Sequence, residues 1–275
     1  MNSFVVRTLT AVVFVVVMVC GIILDPALFS ALFLFVSAIA LREFYSITLC
    51  GRYPVQQKIG ILTGGATYLV IAMHYFYGLS LAWLSISLVL MMLLAASVLF
   101  SNREDLVSLG LIYTGLLYVV LPFCVYPMLV TDGVVFDGTV LLSLFIIIWL
   151  SDAGAYCLGT LLGQKENSAK LAPSISPKKS WIGFWSGVAF SIAAAIGLHY
   201  MTWLNFSIVH CIAIGVIVSV GGVFGDLFES VWKRYFHVKD SGNCIPGHGG
   251  MLDRFDSSLV AIPLAAAYLI LFNLI

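Results

Sequence analysis

Long apolar stretches dominate this sequence and limit what the chain can fold into. Hydrophobic residues make up 61% of the 275 positions and charged residues only 9%, whereas roughly half of an ordinary soluble domain is apolar. A membrane-spanning helix needs about 20 mostly apolar residues. We therefore predict an all-α, polytopic integral membrane protein with about nine transmembrane helices. The predicted spans are 5–24, 27–49, 59–78, 80–100, 107–130, 139–162, 182–203, 207–231 and 257–274.

The sequence predicts a single integral membrane domain over residues 1–275. Its amino-terminal helices occupy 1–138, and the segments that suggest chemistry lie in 139–275. The first apolar run follows Arg7 and lacks a clear small-residue cleavage site, so we predict a retained helix rather than a signal peptide.

Two features within the spans lead to local predictions. Pro122 and Pro127 predict kinks in the fifth span, which neighbouring helices can tolerate. Arg42 and Glu43 lie near the end of the second span. They either pair with each other, or Arg42 extends its charge to the membrane surface.

The basic residues predict the orientation, because cytoplasmic loops are enriched in Lys and Arg. All Lys and Arg residues of the chain lie at helix ends or in loops on one side of the predicted membrane. This distribution places the amino terminus in the cytoplasm and requires an odd number of spans. These residues are Arg7, Arg42, Arg52, Lys58, Arg103, Lys165, Lys170, Lys178, Lys179, Lys233, Arg234, Lys239 and Arg254.

Composition also excludes some functions. The formal net charge is zero, and no basic stripe stands apart from the membrane segments, so nucleic-acid binding is not predicted. The six cysteines are scattered without a C-x-x-C pair, which indicates neither a disulfide framework nor a zinc site.

One segment, residues 226–256, collects much of the charge in this apolar chain. Carboxylates a few residues apart suit Mg²⁺, which prefers oxygen ligands, and nearby Lys and Arg suit phosphate. Glycines around His248 allow a tight turn. The alternative is a solvated loop between two helices. The charged residues are Asp226, Glu229, Lys233, Arg234, Lys239, Asp240, Asp253, Arg254 and Asp256, with His237 and His248 beside them.

The acidic pair at the end of the eighth span allows two interpretations. Asp226 and Glu229 are three residues apart and share a helix face, at a helix end where the dipole disfavours negative charge. Either a bound cation offsets that cost, or the acids pair with Lys233 or Arg234 one turn later.

A second group of residues lies around the sixth span and the loop after it. Trp149, Asp152, Tyr156 and Gly159 recur at helical spacing, so we predict that they share one face. Gly159 and Gly163 form a small-x-x-x-small pair that favours close helix packing. In the following segment, 173–180, Pro173 and Pro177 prevent regular helix. Lys178, Lys179 and Ser180 there suit either a phosphate or lipid head groups.

The 226–256 segment resembles the signature of the phosphatidate cytidylyltransferases, also called CDP-diacylglycerol synthases. The matching run is Ser230-x-Trp-Lys-Arg234, Lys239-Asp-x-Gly242, and Ile245-Pro-x-His-Gly-Gly-Met-x-Asp-Arg-Phe-Asp256. The segment 173–180 is similar to the same family. Trp232 and Ile182 depart from it, and the resemblance covers mainly residues 149–256.

The resemblance implies an activity: CTP plus phosphatidate gives CDP-diacylglycerol plus diphosphate, at the cytoplasmic face of the inner (plasma) membrane. It implies Mg²⁺ as cofactor, with a second cation left open, and a homodimer. It favours Asp226 and Asp253 as metal ligands, with Asp256 and Asp240 as second choices. The implied catalytic residues are Asp226, Lys239, Asp240, His248, Asp253 and Asp256, and the implied substrate-binding residues are Asp152, Lys178, Lys179, Ser180, Lys233, Arg234 and Arg254.

Two other functions stay open at this stage. A CTP-dependent lipid kinase also combines membrane helices with cytidine nucleotide chemistry, but it transfers the γ-phosphate. A transporter with a charged gate is the second alternative. Acids at mid-membrane on several helices would favour a transporter, whereas here the acids cluster near one predicted membrane face.

Overall fold

The computed structural model describes residues 3–101, 106–164, 169–245 and 249–275. Most of these residues are helical, which confirms the predicted all-α membrane fold. Within the described residues, seven helical segments are long and apolar enough to cross a membrane. Two shorter apolar helices, Thr8–Ile23 and Leu81–Ser97, lie in the first and fourth predicted spans. The count of nine spans and the cytoplasmic amino terminus stay predictions.

The chain divides into two compact units, unit 1 and unit 2. Unit 1 comprises Met1–Asp137 and Val238–Arg254. Asp25 begins its second helix, because the Asp25 carboxylate accepts from the amides of Ala27 at 2.7 Å and Leu28 at 3.2 Å, as an N-cap does. The helices of its first segment are α1 (Ser3–Ile23), α2 (Pro26–Leu49), α3 (Pro54–Tyr77), α4 (Leu84–Ser101), α5 (Leu106–Gly115) and α6 (Leu121–Val125).

The fifth predicted span is irregular at the positions where its prolines occur. A π-helical turn, Leu116–Val120, separates α5 from α6, and a 3₁₀ turn, Tyr126–Val130, follows α6. Proline lacks the N–H that a regular helix needs. The hydrogen-bonding pattern therefore changes immediately before Pro122 and around Pro127.

Aromatic side chains fill the interior of unit 1. Phe33 contacts Tyr126 with ring centroids 5.1 Å apart and Phe29 with centroids 4.8 Å apart, and all three side chains are buried. The buried hydroxyl of Tyr45 in α2 donates to the carbonyl of Ile112 in α5 at 2.9 Å. This contact satisfies a polar group that would be costly to bury alone.

Unit 2 comprises Gly138–His237 and Phe255–Ile275. Its helices pack through small residues, as expected where apolar burial cannot hold membrane helices together. Its elements are α7 (Thr139–Leu161), β1 (Lys170–Ala172), β2 (Ser176–Ser180), α8 (Trp181–Tyr200), α9 (Ile208–Tyr235) and α11 (Ser258–Leu271). The four-residue helix α10 (Leu252–Phe255) lies at the boundary of the two units in the chain.

Hydroxyl groups join the long helices of unit 2. Ser151 of α7 and Ser219 of α9 share a buried hydrogen bond of 2.8 Å. Ser191 of α8 donates to the carbonyl of Gly215 in α9 at 2.9 Å. A methyl group on Gly215 would lie 3.0 Å from the α8 backbone. These contacts hold α7, α8 and α9 close together.

A short antiparallel β-hairpin precedes α8. The sequence did not predict this hairpin. Lys170 pairs with Ser180, and Ala172 pairs with Ser176. Pro173 lies in the turn between the strands, and Pro177 lies within β2. The prediction that this segment is not helical is therefore confirmed, and the hairpin gives its lysines a defined backbone position.

Candidate active site

A cavity of about 560 Å³ lies inside unit 2. Its walls come from α7, the hairpin, α8 and α9, and they carry carboxylates and amines together. Pockets for small molecules typically measure about 300–1,000 Å³, so its size fits a ligand of the nucleotide class. The lining residues include Asp152, Tyr156, Gly159, Gln164, Lys178, Lys179, Ser180, Gly183, Gly222 and Asp226.

Three of the four residues predicted to share a face of α7 line the cavity, whereas Trp149 is not among the lining residues and contacts Phe145. Asp152, Tyr156 and Gly159 all line the cavity, as residues at three- and four-residue spacing should. Gly159 packs against α8, because a methyl group there would lie 3.3 Å from the Cα of Gly183. Gly163 packs against the side chain of Ser180. The glycine pair therefore serves close packing, which is the role predicted for it.

Asp226 contacts the hairpin directly at the wall of this cavity. Its Oδ2 atom lies 2.7 Å from Nζ of Lys179, and Ser230 donates to its Oδ1 atom at 3.3 Å. The Lys179 side chain is 24% exposed and that of Asp226 is 37% exposed. An anionic ligand could therefore compete with Asp226 for Lys179 at modest cost, because exposed ion pairs stabilise a fold weakly.

Glu229, one turn further along α9, has a different surrounding. Its Oε2 atom binds Nζ of Lys233 at 2.5 Å, and its side chain is only 1% exposed. The ion pair considered from the sequence is therefore formed by Glu229, whereas Asp226 pairs with a residue from the hairpin. Arg234 is exposed, and its Nε donates to the carbonyl of Ile175 at 3.4 Å.

The chain around the second strand of the hairpin, which carries Lys178 and Lys179, holds this strand in place. Gln164 donates to the carbonyl of Lys178 at 2.7 Å. Lys170 in turn donates to Gln164 at 2.8 Å and to the carbonyl of Gly163 at 3.1 Å. Ser180 is buried and accepts from the amide of Gly183 at 3.1 Å, so it caps α8. Local sequence did not point to Gln164 as a support for this strand.

Three acidic groups of unit 2 interact electrostatically. Asp226 and Asp152 are close enough to Asp256 for electrostatic repulsion. Asp256 lies where α9 approaches it most closely, because its carbonyl packs against Gly225. Clustered carboxylates are stabilised when a cation joins them, and carboxylate oxygens are ligands that Mg²⁺ accepts.

A complete metal cage is not visible in the described part of the chain. Among those residues, no three His, Cys, Asp or Glu side chains stand close enough to hold a metal by themselves. Mg²⁺ usually binds through one or two carboxylates plus water and substrate phosphates. The donor chemistry beside the cavity therefore fits Mg²⁺ bound together with a nucleotide.

The second half of the 226–256 segment belongs to unit 1, where Asp253 organises a loop. The Asp253 carboxylate accepts from the amide of Gly250 at 2.8 Å and from the amide of Ser241 at 3.0 Å. Gly249 has a φ of +83°, a conformation that favours glycine. We call the described residues 241–245 and 249–253 the Ser241–Asp253 loop. His248 lies outside the described residues, as do Arg103 and Lys165.

Glu43 of α2 supports this loop from beneath. Its Oε2 atom accepts from the amide of Leu252 at 2.8 Å and from the hydroxyl of Ser241 at 3.2 Å. Glu43 is buried, and Arg42 beside it is exposed. Of the two alternatives drawn from the sequence, exposure of the Arg42 charge agrees with the structure, while Glu43 bonds to the distant loop. The sequence did contain a signal for Glu43, because an acid in a membrane segment is by default interpreted as functional.

The structure thus brings part of the predicted site together. Asp152, Lys178, Lys179, Ser180 and Asp226 line one cavity. Lys233 binds Glu229 in the same unit. Lys239, Asp240 and Arg254 are exposed residues of unit 1. Asp253 also belongs to unit 1 and Asp226 to unit 2, so their pairing as metal ligands stays a prediction.

The fold and the cavity define a class: a polytopic helical membrane protein with a cavity lined by carboxylates and lysines. Residues 5–272 match the model of the Cytidylyltransferase family. The chain belongs to this family.

Individual relatives carry a more specific name. A phosphatidate cytidylyltransferase of Staphylococcus epidermidis is 43% identical over 130 residues, which are 47% of this chain and 48% of the relative. Those of Staphylococcus haemolyticus and Staphylococcus aureus are 43% and 42% identical over 130 residues. The match thus spans about half the length of each of these relatives.

Proposed function

We propose that this protein is a phosphatidate cytidylyltransferase that converts CTP and phosphatidate into CDP-diacylglycerol and diphosphate. The observation that carries the proposal is the cavity of unit 2, where Asp226 and Asp152 lie with Lys178 and Lys179 among membrane helices. The family and the names of the relatives support the same reaction. A membrane location suits a substrate whose acyl chains stay in the bilayer.

The reaction exchanges one phosphorus–oxygen bond for another. An oxygen of the phosphatidate phosphate forms a bond to the α-phosphorus of CTP, while the bond from that phosphorus to the bridging oxygen of the diphosphate breaks. The electron pair of that bond leaves with diphosphate. A phosphate monoester is already ionised near neutral pH, so the attacking oxygen does not depend on a strong general base.

Lys178 and Lys179 are proposed to bind phosphate oxygens. In this structure Lys179 is paired with Asp226, and an incoming phosphate would take over Lys179 and release the carboxylate toward a cation. Lys179 would then bind the phosphate, and the Asp226 carboxylate would be available to hold a cation. Arg234, Lys239 and Arg254 are exposed and are proposed as further phosphate contacts.

Mg²⁺ is proposed as the cofactor, with Asp226 as a ligand. When bound, it would neutralise phosphate charge and stabilise the departing diphosphate. Asp152 and Asp256 are the neighbouring carboxylates that could share or orient its water ligands. Asp253 as a second ligand, Asp240 as a catalytic residue and a second cation follow from the resemblance alone.

We also propose that the site faces the cytoplasm of a bacterial inner membrane. CTP and Mg²⁺ are available there, and the distribution of Lys and Arg in the sequence predicts that orientation. The homodimer is proposed on the resemblance only.

The test uses purified protein in detergent with phosphatidate, Mg²⁺ and CTP labelled at the α-phosphate. We expect label to enter the lipid phase, and we expect EDTA and Asp226→Ala to abolish the transfer. Asp132→Asn serves as the matched control, because it removes an exposed carboxylate from a loop of unit 1.

Other outcomes would replace the proposal. Lipid labelling only from CTP labelled at the γ-phosphate would identify a lipid kinase. No labelling from either nucleotide, with the protein folded, would exclude nucleotide transfer to phosphatidate.

A further inference from the structure

Glu43 is a buried acid of α2, in the part of the chain that the functional motifs do not include. A carboxylate that is buried without partners is costly. The groups that bind Glu43 therefore account for its position in the interior. Among the described residues, its hydrogen bonds run to Leu252 and Ser241, 209 and 198 positions later in the sequence.

A single oxygen of Glu43 accepts both of these bonds. Oε2 receives the Leu252 amide at 2.8 Å and the Ser241 hydroxyl at 3.2 Å. The Leu252 amide is the first N–H of α10, so the carboxylate defines where this turn begins. The bonds are charge-assisted and buried, which makes them stronger than ordinary hydrogen bonds.

The network continues from Glu43 to Asp253. The Ser241 hydroxyl accepts from the amide of Asp253 at 3.2 Å, and the Asp253 carboxylate accepts from the amide of Ser241 at 3.0 Å. Ser241 is thus held by Glu43 on one side and by Asp253 on the other. Any shift of the Glu43 oxygen would move both ends of the Ser241–Asp253 loop.

The space around Glu43 is too small for other arrangements. A methyl group on Gly242 would lie 2.7 Å from Cδ of Glu43, and one on Gly250 would lie 2.5 Å from its Oε2 atom. Both glycines therefore permit the loop to rest directly on the carboxylate. This close approach explains their presence by packing on Glu43 rather than by contact with a ligand.

We propose that Glu43 is a positioning residue for the reaction described above. Its Oε2 atom holds the Ser241–Asp253 loop, and so determines where the neighbouring Asp240 and Arg254 and the carboxylate of Asp253 lie. The inference rests on the proposed function for its catalytic consequence, but the structural effect can be measured without turnover.

The first measurement is amide hydrogen exchange of purified protein by mass spectrometry. In Glu43→Ala we expect exchange of the Ser241–Asp253 loop to accelerate by about tenfold or more, since buried hydrogen bonds to a charged group are lost. Glu43→Gln keeps an oxygen acceptor at this position and should restore most of the protection. Arg42→Ala, an exposed neighbour on the same helix, should exchange like the unaltered protein.

The second measurement separates positioning from simple stability. With CTP and phosphatidate, Glu43→Ala should lower kcat by about 10- to 100-fold, because small misplacements of reacting groups are costly. KM for CTP should change less than about threefold. Glu43→Gln should recover kcat, and Arg42→Ala should leave both constants unchanged.

Each result decides the inference. Unchanged loop exchange in Glu43→Ala would overturn it, and so would a Glu43→Gln protein as impaired as Glu43→Ala. If Glu43→Ala unfolds, Ser241→Ala decides. Faster exchange confined to the loop supports the proposal, and unchanged exchange opposes it. A wild-type protein without cytidylyl transfer would refute the proposed function, while the exchange data would still decide the role of Glu43.

Discussion

Asp226 and Asp253, the two acids that the signature resemblance couples, have different surroundings in their respective units. Asp226 lies in α9 beside a cavity, where Lys179 and Ser230 contact its carboxylate. The Asp253 carboxylate is engaged by the backbone amides of Ser241 and Gly250. A cavity-facing acid can change partners when a ligand arrives, whereas an acid bonded to its own loop also maintains structure. Motif membership alone therefore does not define a residue's role.

The largest effect should come from Asp226→Ala. We expect kcat to fall by about 10³-fold or more, because loss of a metal ligand removes several kcal/mol of charge stabilisation. The thermal midpoint in detergent should change little, since the half-exposed pair with Lys179 stabilises weakly. Activity and midpoint are measured on the same preparation, with Asp132→Asn as control. A large loss of stability would show that Asp226, like Asp253, mainly supports the fold.

Asp253→Ala should impair both activity and loop order. We expect kcat to fall by about 10²-fold or more, and loop exchange to accelerate, because hydrogen bonds to a charged group contribute about 1.5–3 kcal/mol each. Asp253→Asn retains an acceptor oxygen and should preserve more loop protection. If Asp253→Ala abolished turnover with the loop fully protected, the contrast with Asp226 would disappear.

Within unit 2, the two ion pairs of α9 should differ in their effect on stability. Glu229→Ala leaves the amine of Lys233, whose side chain is only 13% exposed, in an environment that disfavours charge. We expect a loss of about 3 kcal/mol in the free energy of unfolding. Lys179→Ala breaks the more exposed pair and should cost about 1 kcal/mol or less. Denaturant titration of both variants tests this, and equal losses would contradict it.

Substrate affinity should distinguish the two lysines of β2, Lys178 and Lys179. Lys179→Met should raise KM for CTP about tenfold, equivalent to roughly 1.4 kcal/mol of phosphate binding. Lys178→Met should have a smaller effect, because Lys178 is exposed and Lys179 is partly buried. Lys58→Met, an exposed lysine of unit 1, is the control. The reverse order would identify Lys178 as the main phosphate contact.

The smallest effect concerns Asp132, which resembles Asp253 in binding backbone amides but is fully exposed. Its carboxylate accepts from the amides of Val135 at 2.8 Å and Val134 at 2.9 Å, and these bonds lower the pKa of Asp132. Because the folded pKa lies below the unfolded value of about 3.9, the carboxylate stabilises the fold above that pH. This contribution decreases as pH falls through the folded pKa.

Asp132→Asn should therefore lower the thermal midpoint slightly at pH 7, and the difference from wild type should shrink below about pH 4. Thermal scans over this pH range test the prediction. A difference that grew on acidification would have the wrong sign and would contradict it.

Much of the fold was predictable because the bilayer imposes a simple rule. A helix satisfies its backbone hydrogen bonds within a single segment, as lipid requires, and apolar runs of about 20 residues match its length, so composition and run length sufficed to predict helices in these segments. The helical spacing of Asp152, Tyr156 and Gly159 likewise predicted one face of α7, and all three line the cavity. The prolines that predicted kinks, Pro122 and Pro127, lie where a π-helical turn and a 3₁₀ turn occur in this span.

Other features depended on contacts between distant parts of the chain. Local spacing suggested Lys233 or Arg234 as partners of Asp226, but its partner is Lys179 of the hairpin. Glu43 was considered only with Arg42, because the sequence cannot show that α2 packs beneath the Ser241–Asp253 loop. A helix dictates contacts three and four residues apart, whereas contacts across about 200 residues arise only when the packed core brings the segments together.

The sequence by itself thus determined the membrane class, the helical segments and the residue types available for phosphate and cation chemistry. Those properties follow from local hydropathy and from side-chain chemistry. The tertiary structure decided which charges meet: Asp226 with Lys179, Glu229 with Lys233, and Glu43 with the loop of Asp253. It decided them because a buried charge needs a partner, and close packing of helices determines which partner is within reach.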